Sequence, residues 1–180
     1  SEFLTHADYH GVPLGFSTFS DGTSTAKILK TSQHPPRAGE ADGNHVLQLD
    51  LNVSGWAGVV KIFENDAFDT WVSYDWSEFD AFRFWIYGSN SGSLLYVDVL
   101  DNRNPCSTGD DAERYGFRFV DNFSGWKQIT VPFAKMIRGE YQNAAPNDGL
   151  GLSNVHGWGI GATKTNGPVT FYIDDFELLN

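Results

Sequence analysis

The sequence predicts an all-β fold, a two-sheet antiparallel β-sandwich, on three observations. Apolar residues recur with a period of two rather than 3.6. Clusters of turn residues interrupt these alternating runs every dozen residues or so. Evidence for helix is confined to one short stretch. The chain has 180 residues and 41% hydrophobic content, enough for a single domain with a real core. Residues 1–180 read as one module, in which the opening "SEF" carries little weight and is compatible with a cloning remnant.

Taken in order, "HVLQLDLNV" (45–53) sets Leu47, Leu49, Leu51 and Val53 against Gln48, Asp50 and Asn52. "FDAFRFWIYG" (79–88) sets Phe82, Phe84 and Ile86 against Arg83, Trp85 and Tyr87. "LLYVDVLD" (94–101) sets Leu95, Val97 and Val99 against Tyr96, Asp98 and Leu100. "ERYGFRFVD" (113–121) sets Tyr115, Phe117 and Phe119 against Arg114, Gly116 and Arg118. "WKQITVPF" (126–133), "VHGWGIGA" (155–162) and "VTFYIDDFEL" (169–178) complete the strands, and "SNSG", "DNRNP", "DNFSG", "NDGLG" and "TNGP" separate them. "VPFAKMIRG" has the composition for a turn or two of helix before Gly139. Segments 31–44 and 138–151, rich in Pro, Gly and polar residues, read as loops within the domain.

Alternation also sorts the residues by face. With the apolar sets inward, the outward sets are Tyr96 and Asp98; Arg114, Gly116 and Arg118; Gly157, Gly159 and Gly161; and Arg83, Trp85 and Tyr87. A glycine row lets another molecule approach the backbone closely. Beside it, Arg and Asp offer directional hydrogen bonds and an aromatic ring offers an apolar plate, a combination suited to a pyranose. The competing reading is a solvent face on which Asp98 pairs with Arg114 or Arg118 across strands.

The net charge of −11 works against nucleic acid and anionic membranes as partners, since both need clustered Lys and Arg. Neutral polymers and cations remain. No stretch approaches the roughly 18 consecutive apolar residues of a membrane-spanning helix. The single cysteine, Cys106, excludes an intrachain disulfide and reads as incidental in "DNRNPCSTGDD". Aromatics make up 15% of the chain, more flat apolar area than a core of this size usually needs. Trp126 and Trp158 read as structural, whereas the outward face of Trp85 belongs to either sheet.

"DWSEFDAFRFWIYGSNSG", "AERYGFRFVDNFSGWKQITVPFAKM" and the closing "FYIDDFEL" resemble the family 11 carbohydrate-binding modules, galactose-binding-like β-sandwiches attached to secreted bacterial glycoside hydrolases. The similarity runs in order from about Gly15 to Leu178. It implies a jelly roll with one concave sheet that holds a β-glucan chain through tyrosines, aspartates and an arginine. Carried onto this chain, it implies Asp98 and Arg114 as binding residues, with Trp56, Tyr96, Arg118 and Tyr141 around them. It further implies a secreted protein whose partners are a β-glucan of the β-1,3/1,4 type and a tethered catalytic domain. The same scaffold carries non-sugar relatives, so a structural or protein-interaction sandwich is the alternative.

Asp174 and Asp175 pose a separate question. Consecutive strand residues point to opposite faces, so one of the two should face the interior or the sheet edge. A buried, unpaired carboxylate is costly. Related sandwiches commonly hold one structural Ca²⁺ where the terminal strands meet, and Ca²⁺ takes carboxylate and carbonyl oxygens. The expected ligands are Asp175 and Asp174, with Asp50, Asp21 and Glu2 as partners. The other reading has the pair capping turn amides or bound to a lysine.

A catalytic role has little support. Asp98 and Asp101 lie three apart, on opposite faces of a continuing strand, which does not suit an acid–base pair. The five histidines show no HxH or HExxH spacing, and no GxSxG or P-loop occurs. The module is expected to be non-catalytic.

Overall fold

The computed structural model of the chain describes residues 8–9, 12–13, 15–67, 71–101, 112–139 and 145–180. Its strands are β1 (Asp8–Tyr9), β2 (Val12–Pro13), β3 (Phe16–Ser20), β4 (Thr25–Thr31), β5 (Val46–Asn52), β6 (Ala57–Ile62) and β7 (Ala81–Ser89). There follow β8 (Leu94–Asp101), β9 (Glu113–Val120), β10 (Ser124–Pro132), β11 (Ile137–Arg138), β12 (Val155–Lys164) and β13 (Val169–Leu179). The predicted helical stretch forms one 3₁₀ turn, Phe133–Lys135, before β11. The Pro at its N-terminal side and the β-branched Ile beyond it leave no room for more.

Two antiparallel sheets face one another. One has six strands in the order β11-β9-β8-β12-β6-β3, the other five in the order β10-β7-β13-β5-β4. β1 and β2 form a separate hairpin. The predicted inward sets of β5, β7 and β8 are buried as the alternation requires, and that of β9 is half-buried against the same core. Leu47, Leu49 and Leu51 of β5, Phe82, Phe84 and Ile86 of β7, and Leu95, Val97 and Val99 of β8 belong to one core cluster. Trp158 and Ile160 of β12 join it.

At one end of that core Phe176 stacks between Trp158 (4.7 Å) and Phe82 (4.6 Å). Its inward position depends on a bulge. Along the β13–β7 ladder Asp174 faces Trp85 and Glu177 faces Arg83, so β13 carries one extra residue there. Asp175 adopts φ +47°, a left-handed conformation uncommon for a non-glycine residue. The extra residue resets the alternation, so Ile173 and Phe176 both reach the core. Asp174, the buried member of the pair, and Asp175 both meet Arg37, which lies against Trp85.

Candidate functional site: a groove across the six-stranded sheet

Strand register aligns three rows of residues on the outer face of the six-stranded sheet. The first runs Phe19, Gly58, Gly161, Tyr96, Arg118. The second runs Ser17, Val60, Gly159, Asp98, Gly116. The third runs Ile62, Gly157, Leu100, Arg114. A groove of about 440 Å³ crosses these rows and is lined by Phe19, Trp56, Val60, Ile62, Tyr96, Asp98, Leu100, Arg114 and Gly159.

Glycines shape its floor. A methyl group on Gly161 would lie 2.6 Å from the Tyr96 hydroxyl, and one on Gly58 would lie 2.9 Å from the Phe19 ring. The two aromatic rings therefore lean over the glycine pair from opposite sides. A methyl group on Gly116 would lie 2.7 Å from Asp98 Oδ1, so Asp98 occupies space that only a glycine leaves open. Of the predicted row on β12, Gly159 alone lines the groove. Gly161 makes room for Tyr96, and Gly157 packs against the backbone of Lys61. Two of the three glycines thus serve the protein's own packing.

The electrostatics centre on Asp98. Burial pushes its carboxyl up to about 7, against the opposing charges of Arg114 and Arg118. Near neutrality it is poised between an acid that donates a hydrogen bond and a carboxylate that only accepts. Burial, with the Asp98 charge beside it, raises the Tyr96 phenol, which stays protonated and able to donate. Trp56 supplies a plate at the rim. It is 48% exposed, and its ring centroid lies 6.1 Å from that of Phe19. The groove thus offers apolar flanks, a polar centre and one exposed indole.

Four expected residues, Trp56, Tyr96, Asp98 and Arg114, come together here. Arg118 is exposed at the end of the first row, acting on Asp98 through its charge without lining the groove. Tyr141 lies outside the described residues, as does Cys106. The apolar lining from Phe19, Val60 and Ile62 was not expected. Phe19 had a signal, since Phe16 and Phe19 stand three apart on one strand and must take opposite faces.

The expected metal ligands are not brought together. Asp174 Oδ2 accepts from Arg37 Nη2 (2.8 Å) and Asn44 Nδ2 (2.7 Å), and the same guanidinium bonds Asp175. Asp50 accepts from Gln48 Nε2 (3.0 Å) and the Thr170 hydroxyl (2.6 Å). Asp21 accepts from the N–H groups of Thr23 and Ser24 in the turn that joins β3 to β4. Glu2 lies outside the described residues. Among the described residues no three His, Cys, Asp or Glu side chains lie close enough to hold a metal ion. Within the described residues Asp174 and Asp175 meet Arg37 rather than Asp50 or Asp21, and Asp174 Oδ1 has no hydrogen-bond partner there.

An open groove on one face of a β-sandwich, with glycine floor, indole rim and polar centre, is the arrangement of a carbohydrate-binding sandwich domain. The family model for carbohydrate binding domain (family 11) matches residues 7–180, and the chain belongs to that family. A family 11 carbohydrate-binding module from Clostridium thermocellum, solved with a β-1,3-1,4-mixed-linked tetrasaccharide, is similar in fold. It shares 19% identity over 97% of this chain and 93% of its own, with a TM-score of 0.71. The family 11 module of the cellulosomal cellulase Lic26A-Cel5E of Clostridium thermocellum shares 18% identity over 96% and 91% of the two chains, TM-score 0.69. A family 30 carbohydrate-binding module is more distant, at 15% identity over 86% and 91%, TM-score 0.56. No curated protein matches the chain.

Proposed function

We propose that this domain binds β-glucan chains of the β-1,3/1,4 type in the groove and holds an attached glycoside hydrolase on its polysaccharide outside a bacterial cell. The observation that carries the reading is the co-location of Trp56, Tyr96, Asp98 and Arg114 on one groove. A glucose unit presents an apolar face to a ring and hydroxyls to polar partners, which match the Trp56 rim and the Asp98–Arg114 centre. The mixed-linked tetrasaccharide bound by the Clostridium thermocellum module supports the choice of polymer. Tethering raises the effective concentration of a catalytic domain on the polymer without new contacts.

A hydrolytic role is disfavoured by geometry. Glycoside hydrolysis needs two carboxyl groups flanking the scissile bond. Asp98 is the one carboxylate among the described groove-lining residues. Asp101, three residues on, is fully buried beneath the sheet and accepts from the Gly151 N–H.

Affinity electrophoresis against a panel of soluble glucans tests the proposal. Mixed-linkage β-glucan should retard the protein, and Asp98→Ala should weaken retardation about tenfold or more, as expected for a hydrogen bond to a charged group. The melting temperature should be unchanged or higher, since the substitution removes a desolvated carboxyl. Absence of retardation on every glucan would sink the reading.

A further inference from the structure

Trp56 is the exposed ring of the groove, yet it stands one residue before β6, next to a loop containing Ser54 and Gly55 and beyond the last β3–β6 pair, Ser20 with Ala57, so it needs fixing beyond the paired strands. The fixing comes from Asp21. Its Oδ1 accepts from the backbone N–H of Thr23 (2.9 Å) and Ser24 (2.6 Å) and from the Thr23 hydroxyl (3.0 Å). Its Oδ2 accepts from the Ser24 hydroxyl (3.1 Å) and from the backbone N–H of Trp56 (3.2 Å). The Asp21 N–H donates to the Trp56 carbonyl (3.1 Å), so residue 21 grips both backbone groups of residue 56. Ser24 Oγ extends the grip by accepting from the N–H of Ser54 (3.1 Å) and Gly55 (3.3 Å). A methyl group on Gly55 would lie 2.1 Å from Asp21 Oδ2, so the carboxylate reaches Trp56 only past a glycine.

From this network we infer that Asp21 is a positioning residue for glucan binding: one carboxylate ties the turn after β3 to the Trp56 backbone and holds the indole over the groove beside Phe19. The inference rests on the reading of the groove as a glucan site. The two oxygens divide the work, Oδ1 organising the turn and Oδ2 reaching across to Trp56. Phe19, on the strand that leads into this turn, supports the same indole from below. One side chain thus couples the β3 edge of the groove to its rim. The hydrogen bonds that Ser24, Thr23 and Trp56 donate hold the carboxyl well below the usual carboxylate range, against the opposing effect of partial burial. It therefore remains an acceptor at both oxygens at any pH at which the protein is used.

The division suggests the test. Asp21→Asn can keep an acceptor toward Thr23 and Ser24 while turning an amide donor toward the Trp56 N–H, where an acceptor is required. Its affinity for mixed-linkage β-glucan should fall about fivefold, the size of one lost hydrogen bond. In a Trp56→Ala background, already weakened by loss of the plate, the same substitution should change affinity by less than about twofold. With 5-fluorotryptophan incorporated, the ¹⁹F resonance that Trp56→Phe deletes should broaden or shift in Asp21→Asn. Equal losses in both backgrounds, or an unchanged affinity and an unchanged Trp56 resonance, overturn the positioning role while leaving the glucan reading intact. A wild-type protein that no glucan retards overturns the glucan reading and this proposal with it.

Discussion

The two sheets carry outward faces of similar composition and opposite fate. On the six-stranded sheet, Tyr96, Asp98 and Arg114 meet in an open groove. On the five-stranded sheet, Tyr87 packs between Trp126 (5.6 Å) and Tyr172 (6.2 Å), with Trp85 nearby on the same strand. There the segment between β4 and β5 folds back over the rings. His34 packs edge-on to Trp126, the Trp126 indole N–H donates to the Pro35 carbonyl (2.7 Å), and the Arg37 guanidinium lies 5.2 Å from the Trp85 ring. Asp174 and Asp175 then close on Arg37. Aromatic rings and charges on a strand face do not by themselves make a site. The difference is whether another segment of the chain lies over them, as the β4–β5 segment does on the five-stranded sheet.

Removing the lock on the closed face should give the largest effect. The Asp174 side chain is fully buried and that of Arg37 is only 11% exposed. Arg37→Ala would leave a buried carboxylate without its cation, at a cost of about 3–5 kcal/mol in urea unfolding. Glucan affinity per folded molecule should be unaffected, because the groove lies on the other sheet. Loss of affinity alongside stability would show that the two faces are coupled and that the contrast between them is wrong.

Closing the open face should give an intermediate effect. A methyl group on Gly161 would lie 2.6 Å from both the Ala57 carbonyl oxygen and the Tyr96 hydroxyl. Tyr96 can swing away, but the backbone oxygen cannot, so Gly161→Ala should cost about 1–3 kcal/mol of stability. The displaced phenol would enter the groove and weaken glucan retardation. Gly125→Ala makes a useful control, since nothing lies within 4 Å of the position and its φ of +88° makes the cost purely one of backbone. If Gly161→Ala retains full affinity, Tyr96 does not shape the site.

How much of this was legible in the sequence follows the same division. Period-two alternation placed Leu47, Phe82, Val97 and Ile160 in the core and Tyr96, Asp98 and Arg114 on one face, because a single parity governs each uninterrupted strand. Parity fails where the strand is interrupted. The bulge at Asp175 rests on a left-handed φ at an aspartate, a conformation for which glycine is the usual signal and none is present. The pairing of Arg37 with residues 137 and 138 positions away is equally invisible to local pattern, so segment 31–44 read as a loose loop rather than a cover. The reach of Asp21 is hidden for a related reason. An acidic residue before "GTS" signals a turn, but its second oxygen reaches a loop more than thirty residues on.

The effect most specific to the open face is electrostatic. Asp98 has its carboxyl pushed up to about 7 by burial, which Arg114 and Arg118 only partly offset. Below about pH 4 the carboxyl is protonated whether the protein is folded or not. As pH rises toward 7 the unfolded chain releases this proton while the folded chain keeps it, so stability falls across that window and levels off above it. Asp101, raised by burial to about 6 with the Glu113 and Asp148 charges adding to the rise and the Gly151 N–H opposing it, contributes a fall of the same sign between about pH 4 and 6. The two are separable by substitution. Asp98→Asn should flatten the upper part of the decline in melting temperature, leaving the part that ends near pH 6. A saturating mixed-linkage glucan should alter only the Asp98 part, because Asp101 lies beneath the sheet and out of the ligand's reach. If the decline of the wild type and of Asp98→Asn superimpose from pH 4 to 8, the groove carboxyl is not desolvated, and the polar centre differs less from ordinary surface than its burial indicates.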